Sequence, residues 1–355
     1  MTAARSADTR LVVRAWLITR LTFAVVAVGV VLATGRTFED LLTGWDVAHF
    51  ARIASNGYAA ADSVAFFPGM PLLMRAGLSI GLPDYATGVL VAAAGSLAAA
   101  LALARLGGLW ASVAWLLAPA GVFTAVGYTE SPFAAFAFWA WERATAGRWG
   151  QAALLAAGAS AFRVSGVFLV AGLAVLALTQ RRVRALFWLV IPGIVTAGFI
   201  TFLRLRKGSW TVWLDAQADI WSRRFTWPWD AWAHTWAAAQ PGTWPDHPEW
   251  EVVFVLEIVS IVVGVLVVLW ALVGRRWAES AYVAVQVLAF ATSYWFWSVV
   301  RAVLLWFPLF VGIGEFAGRR TPTLAWRVVG ALAAIVAVGV QVAWAVAYFT
   351  GVWAG

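Results

Sequence analysis

Residues 250–273 read WEVVFVLEIVSIVVGVLVVLWALV, and only Glu251, Glu257 and Ser260 interrupt that run with polar side chains. As a helix it is about 36 Å long at ~1.5 Å per residue, enough to cross a hydrocarbon core of ~30 Å. Lipid offers no partner to backbone amides, so a segment this apolar crosses as a helix that satisfies its own hydrogen bonds. Its apolar residues are continuous rather than alternating, which excludes a strand of an outer-membrane barrel. Glu257, inside the run, is either a buried structural acid or a support for a nearby site.

Comparable runs recur along the chain. Of its residues 63% are hydrophobic and 12% charged, with mean hydropathy +0.83, whereas a soluble domain lies nearer half apolar and a quarter charged. The expectation is an all-α polytopic membrane protein. About eleven spans are predicted, at 11–32, 86–104, 109–126, 131–144, 149–162, 165–179, 185–203, 250–273, 278–297, 302–316 and 324–350. Two of these, 131–144 and 149–162, are only about 21 Å long at ~1.5 Å per residue and require shielding by neighbouring helices. The first span, 11–32, reads as a signal anchor, because no small-residue cleavage site follows it.

The net charge of +8 sits in short arginine clusters between spans, so it reports topology and not nucleic-acid binding. Arg5, Arg10 and Arg14 place the N-terminus in the cytoplasm. Arg105, Arg143, Arg148, Arg181, Arg182, Arg184, Arg275, Arg276, Arg319 and Arg320 then fall inside as well. Residues 36–84 and 204–249 become two large extracytoplasmic loops of one integral membrane domain. Arg204, Arg206 and Lys207 land on the outer side against the rule, which an anionic ligand would explain. In the second loop Trp210, Trp213, Leu214, Ile220 and Trp221 share a helical face broken only by Gln217, and Trp229, Trp232 and Trp236 repeat the spacing. Such faces lie in the headgroup plane, as an aromatic anchor or as a surface for stacking a sugar.

The first loop holds the chemistry. From Trp45 the chain runs Trp-Asp-Val-Ala-His-Phe-Ala-Arg-Ile-Ala-Ser-Asn-Gly-Tyr to Tyr58, and Phe66-Phe67-Pro68 with Pro71 then form a stiff elbow. Asp46 and His49 are three apart and meet on one helical face; Gly57 ends that helix. A partly desolvated carboxylate at the membrane is a candidate base, although Asp46 could equally cap a helix beginning near Val47. Glu130, in Tyr128-Thr129-Glu130-Ser131-Pro132, is expected to face outward at the mouth of the bundle. Arg163 and Arg301 fall at outer helix ends, where a guanidinium holds phosphate or snorkels to headgroups. With no cysteine and three histidines there is no disulfide or thiolate metal site, and a catalytic zinc is not expected.

The combination of Trp45-Asp46, His49-Phe50, Ile53-Ala54, Gly57-Tyr58, Ala65-Phe66-Phe67-Pro68-Gly69 and Pro71 resembles the PIG-V family of GPI mannosyltransferases. Looser similarity follows in family order at Tyr128 to Phe133, Gly147 to Gly166, and Arg301 with Phe307-Pro308-Leu309. The resemblance implies a GT-C-type glycosyltransferase that takes mannose from a polyprenyl phosphate on the extracytoplasmic face of the cell membrane. It implies Asp46 as base, His49 as its or the acceptor's positioner, and Glu130, Arg163, Arg301, Arg204, Arg206, Trp45 and Tyr58 as substrate contacts. Its partners would be membrane lipids, the donor, and a glycolipid or glycan acceptor; no metal or other cofactor is required. Where relatives have Arg-Ser-Asn-Gly and Arg-Tyr, this chain has Arg163-Val164-Ser165-Gly166 and Arg301-Ala302. The Arg-rich, Lys-poor, Ala-rich composition suggests a bacterial member. The rival readings are another polyprenyl-linked sugar, a lipid or sugar transporter, and a non-catalytic subunit.

Overall fold

Helix α1 (Thr2–Thr34) opens a chain in which every regular element among the described residues is helical. The computed structural model describes residues 2–319 and 323–352, with side chains from residue 8 onward; Arg320 and the side chain of Arg5 lie outside the described residues. The first loop folds into α2 (Phe38–Leu42), α3 (Asp46–Asn56), a 3-10 turn at Asp62–Ala65 and α4 (Gly69–Ser79). The bundle continues with α5 (Asp84–Gly107), α6 (Leu109–Leu116), α7 (Glu130–Thr145), α8 (Trp149–Phe162), α9 (Ser165–Thr179) and α10 (Val190–Lys207). The second loop carries α11 (Val212–Asp219) and α12 (Pro228–Ala238). After it come α13 (Glu249–Val273), α14 (Trp277–Ala291), α15 (Val299–Ala302), α16 (Phe307–Gly318) and α17 (Leu324–Thr350).

Helix length and composition support only part of the eleven expected spans. Among the described residues five helical segments are long and apolar enough to cross: Asp8–Thr34, Asp84–Gly107, Val183–Lys207, Glu249–Val273 and Leu324–Thr350. A sixth arises if Val299–Leu305 and Phe307–Gly318, bent by 62°, count as one. Span 109–126 breaks after Leu116 and resumes only as a 3-10 turn at Gly121–Thr124, and span 278–297 ends at Ala291. Apolar composition alone misleads here, because a packed protein interior demands it as strongly as lipid does. Helix α7 shows why: Phe133, Phe138 and Trp141 are at most 1% exposed, so protein encloses a helix too short to cross unaided.

Close approaches between helices set where the chemistry sits. A Cβ on Gly95 would lie 2.8 Å from the backbone nitrogen of Pro132, so only glycine lets α5 touch the start of α7 beside Glu130. In α1 the guanidinium of Arg20 donates to the Thr124 carbonyl at 2.6 Å and to Thr124 Oγ1 at 3.0 Å, while Trp16 Nε1 donates to Ser96 Oγ at 2.9 Å. These bonds satisfy a charge inside a crossing helix and pin α1 to the turn that leads toward Tyr128.

Candidate active site

Helices α7, α8 and α9 run back and forth between the two ends of the bundle. Glu130, Arg163 and Ser165 are therefore at one end, and Thr145, Trp149 and Thr179 at the other. The loop helix α3, α11 and the break before α15 join the first end, around a cavity of about 470 Å³. Trp45, Asp46, His49, Arg163, Arg223, Arg301 and Tyr348 are among its walls.

Asp46 is the first residue of α3, after Trp45 at φ 56°. Trp45 bears no capping bond and the Asp46 carboxylate is spent on a tertiary contact, so the helix-cap alternative does not hold. Arg301 Nη1 donates to Asp46 Oδ2 at 2.7 Å, and Oδ1 has no protein donor among the described residues. Burial pushes the Asp46 carboxyl up, but the charges of Arg301 and Arg163 outweigh it and hold the group below the usual carboxylate value. It is ionised at neutral pH.

Arg301 is the hub. It is 6% exposed; its Nη2 donates to Ser298 Oγ at 3.0 Å, and its Nη1 lies 3.8 Å from Glu130 Oε1. The guanidinium covers the rings of Phe123 and Tyr128 at 5.3 and 5.0 Å, where ring quadrupoles favour a cation. Glu130 does not face outward as expected. It is fully buried, and its Oε1 also accepts from Arg163 Nη1 at 2.8 Å, which further donates to Thr129 Oγ1 at 2.8 Å. Burial of an unpaired acid is costly, so two arginines converge on it.

His49 lines the same cavity, one turn along from Asp46, but its Nδ1 turns toward Arg52 Nη2 at 2.8 Å and Asp62 Oδ2 at 3.3 Å. Arg52 can only donate to Nδ1 and Asp62 can only accept from it, so in either tautomer Nδ1 is engaged by this pair. Burial lowers the imidazole below its usual value despite nearby Asp46 and Asp62, and it stays neutral. Its ring lies on Phe66 at 4.7 Å. That leaves Nε2 for a ligand; the bond that would let His49 orient Asp46 is not formed.

Three expected contacts lie elsewhere. Tyr58 donates to the Phe66 carbonyl at 3.0 Å and packs on Phe199 and Phe202. It lines a separate apolar pocket of about 590 Å³, together with Arg206. Arg206 stacks over Phe202 and Arg204 over Trp210, while Lys207 donates to the Ala59 carbonyl at 2.8 Å. Ring stacking and a backbone carbonyl account for the cluster without an anion. The predicted Trp face also divides. Trp213, Gln217 and Trp221 point into the cavity, with Trp213 Nε1 donating to the Ala65 carbonyl at 3.2 Å, and Trp210, Leu214 and Ile220 are exposed.

No family model matches the chain. GPI alpha-1,6-mannosyltransferase 2 of Homo sapiens is 35% identical over 151 residues, covering 36% of this chain and 31% of that protein. The Mus musculus and Rattus norvegicus proteins of the same name are each 36% identical over the same coverage. Over that stretch the chain is similar to these mannosyltransferases. The match spans about a third of the length of these relatives. In fold, the chain is similar to the crystal structure of ArnT from Cupriavidus metallidurans bound to undecaprenyl phosphate. The TM-score is 0.52 at 15% identity, over 93% of this chain and 68% of that one.

One residue of the candidate site, Arg223, escaped the sequence reading, and another, Glu257, was left open between two roles. Arg223 lines the cavity and pairs with no carboxylate among the described residues; its Nε is buried without a partner. Burial, with Arg301 and Arg163 nearby, lowers its guanidinium to about 10, so it remains a cation. The only hint was an Arg beside a Trp in an outer loop. Glu257, fully buried in α13, accepts from the amides of Ser298, Val299 and Val300 at 2.7, 2.6 and 3.1 Å. It thereby holds the left-handed bend at Ser298 (φ 64°) that aims Arg301.

Proposed function

We propose that the chain is an inverting mannosyltransferase of the GT-C type. It would transfer mannose from polyprenyl-phosphate-mannose to a hydroxyl of an extracytoplasmic glycolipid or glycan, giving an α-mannoside. The observation that carries this reading is an ionised Asp46 in the wall of a cavity that Arg163, Arg223 and Arg301 also line. Arg223, with no carboxylate partner among the described residues and a buried unpaired Nε, is the cation left for an anion. The names of the curated relatives support mannose as the sugar, and the ligand of the ArnT crystal supports a polyprenyl phosphate.

In the reaction the acceptor oxygen attacks the anomeric carbon on the face opposite the phosphate. Its proton passes to Asp46 Oδ1 as the bond from carbon to phosphate oxygen breaks, and polyprenyl phosphate leaves with the electron pair. Arg301, Arg163 and Arg223 stabilise the departing charge. A phosphate drawn against Arg301 shares the charge that depresses Asp46, so the proton affinity of the base rises when donor is bound. His49 Nε2 and the indoles of Trp45 and Trp221 are placed to orient sugar hydroxyls and faces.

Purified protein assayed with polyprenyl-phosphate-mannose and an extracted glycolipid acceptor tests this. Asp46→Asn should lower turnover about 10²- to 10⁴-fold, the usual size of general-base catalysis, with the fold retained and Tm lowered only by the lost charge of its pair with Arg301. Near-normal turnover would remove Asp46 from the mechanism. Competition with glucose- or arabinose-bearing donors decides the sugar.

A further inference from the structure

A second cavity, of about 840 Å³, opens at the other end of α7 to α10 from Asp46. Its walls are the turn between α7 and α8, the first turn of α8, and the segment from Arg181 to Trp188. Since α8 connects Trp149 in this cavity to Arg163 at the first one, about 21 Å separates them, at ~1.5 Å per residue.

Arg148, Arg181, Arg182 and Arg184 all line this cleft, and none pairs with a carboxylate among the described residues. Glu142, the acid near that end of α7, is taken by Arg105 and Arg143. Helix α8 begins in the cleft without a side-chain cap, so its first amides lack intrahelical acceptors and favour an anion. Trp149, 6% exposed, forms part of the wall, and its indole N–H is buried without an acceptor. Arginines that only set topology snorkel singly into water. Here four exposed arginines line one cleft together with a helix N-terminus.

The rim selects the anion's source. Val183, 60% exposed, and Trp188, 49%, line the cleft, and exposed Phe187 and Val190 lie beside them at the start of the crossing segment Val183–Lys207. A free phosphate has no use for such a border, whereas an acyl-bearing one does. We propose that this cleft binds the phosphate headgroup of an anionic membrane phospholipid, independently of the transferase site. Basic pockets between membrane helices suit such headgroups.

The test uses the full-length chain in neutral detergent with dioctanoyl phosphatidylglycerol, dioctanoyl phosphatidylcholine or inorganic phosphate, read by native mass spectrometry. Phosphatidylglycerol should be retained in preference to phosphatidylcholine. The double variant Arg148→Gln/Arg182→Gln should weaken its retention about 30-fold, the effect of two arginines at a lipid surface. Arg275→Gln, at the same end but outside the cleft, should retain it fully. The double variant's elution volume and Tm should match those of the parent, since both arginines are exposed. Equal retention of the two lipids, full retention by the double variant, or inorganic phosphate binding as tightly as phosphatidylglycerol would each overturn the proposal.

Discussion

Arg301 and Asp46, 255 residues apart in the chain, meet at 2.7 Å and hold the candidate site together. The same guanidinium lies 3.8 Å from buried Glu130, so one cation serves two acids.

Removing that cation should be severe. Arg301→Met leaves Asp46 and Glu130 to share Arg163, and breaking a buried pair costs about 3–5 kcal/mol. A large fall in Tm, together with lost transfer, is the expected outcome. An unchanged Tm would mean the pair contributes nothing to the fold.

Glu257→Gln should loosen Arg301 without touching the cavity. Three amides now share one carboxylate, and a glutamine has a single acceptor oxygen. At least one buried N–H loses its partner, a cost of about 1–3 kcal/mol. Calorimetry should record that loss, and kcat should fall more than donor KM rises.

Transfer should resist acid. Asp46 is held below its ordinary value of ~3.9, chiefly because Arg301 outweighs burial. The unfolded chain therefore takes up this proton first. The pair's contribution to stability is present above the ordinary value and is lost as pH falls through the lowered one. A kcat/KM profile, which reports the free enzyme, should stay flat from neutrality down through pH ~4. An acid limb above the ordinary value would contradict the assignment.

Arg223→Gln should act on the donor phosphate and spare the fold. No carboxylate pairs with Arg223 among the described residues, so Tm should hold. Losing a charge-assisted bond to phosphate should raise donor KM about 10- to 100-fold. Equal KM values in parent and variant would place the donor phosphate elsewhere.

Several particulars were legible from local pattern. The spacing of Asp46, His49, Phe50 and Ile53, ended by Gly57, predicts helix α3 closely, because amphipathic periodicity and a glycine stop act over a few residues. The apolar runs predicted the crossing helices at 84–107, 249–273 and 324–350. Where the runs were shorter, hydropathy could not separate lipid from a protein interior, and fewer helices than expected reach crossing length. Among the basic residues, Arg163 and Arg301 reached the cavity, whereas Arg204 and Arg206 found ring faces 6.0 and 5.7 Å away.

The order of residues by itself determined that this chain is helical, bound to membrane, and carries a carboxylate and a neighbouring imidazole on one turn of a loop helix. Those properties follow from composition and from period, which are local. Tertiary structure alone decided that Glu130 is buried, that Glu257 aims Arg301, and that Arg223 joins the cavity. Each depends on which helix ends meet, and close approaches such as Gly95 against Pro132 set that meeting.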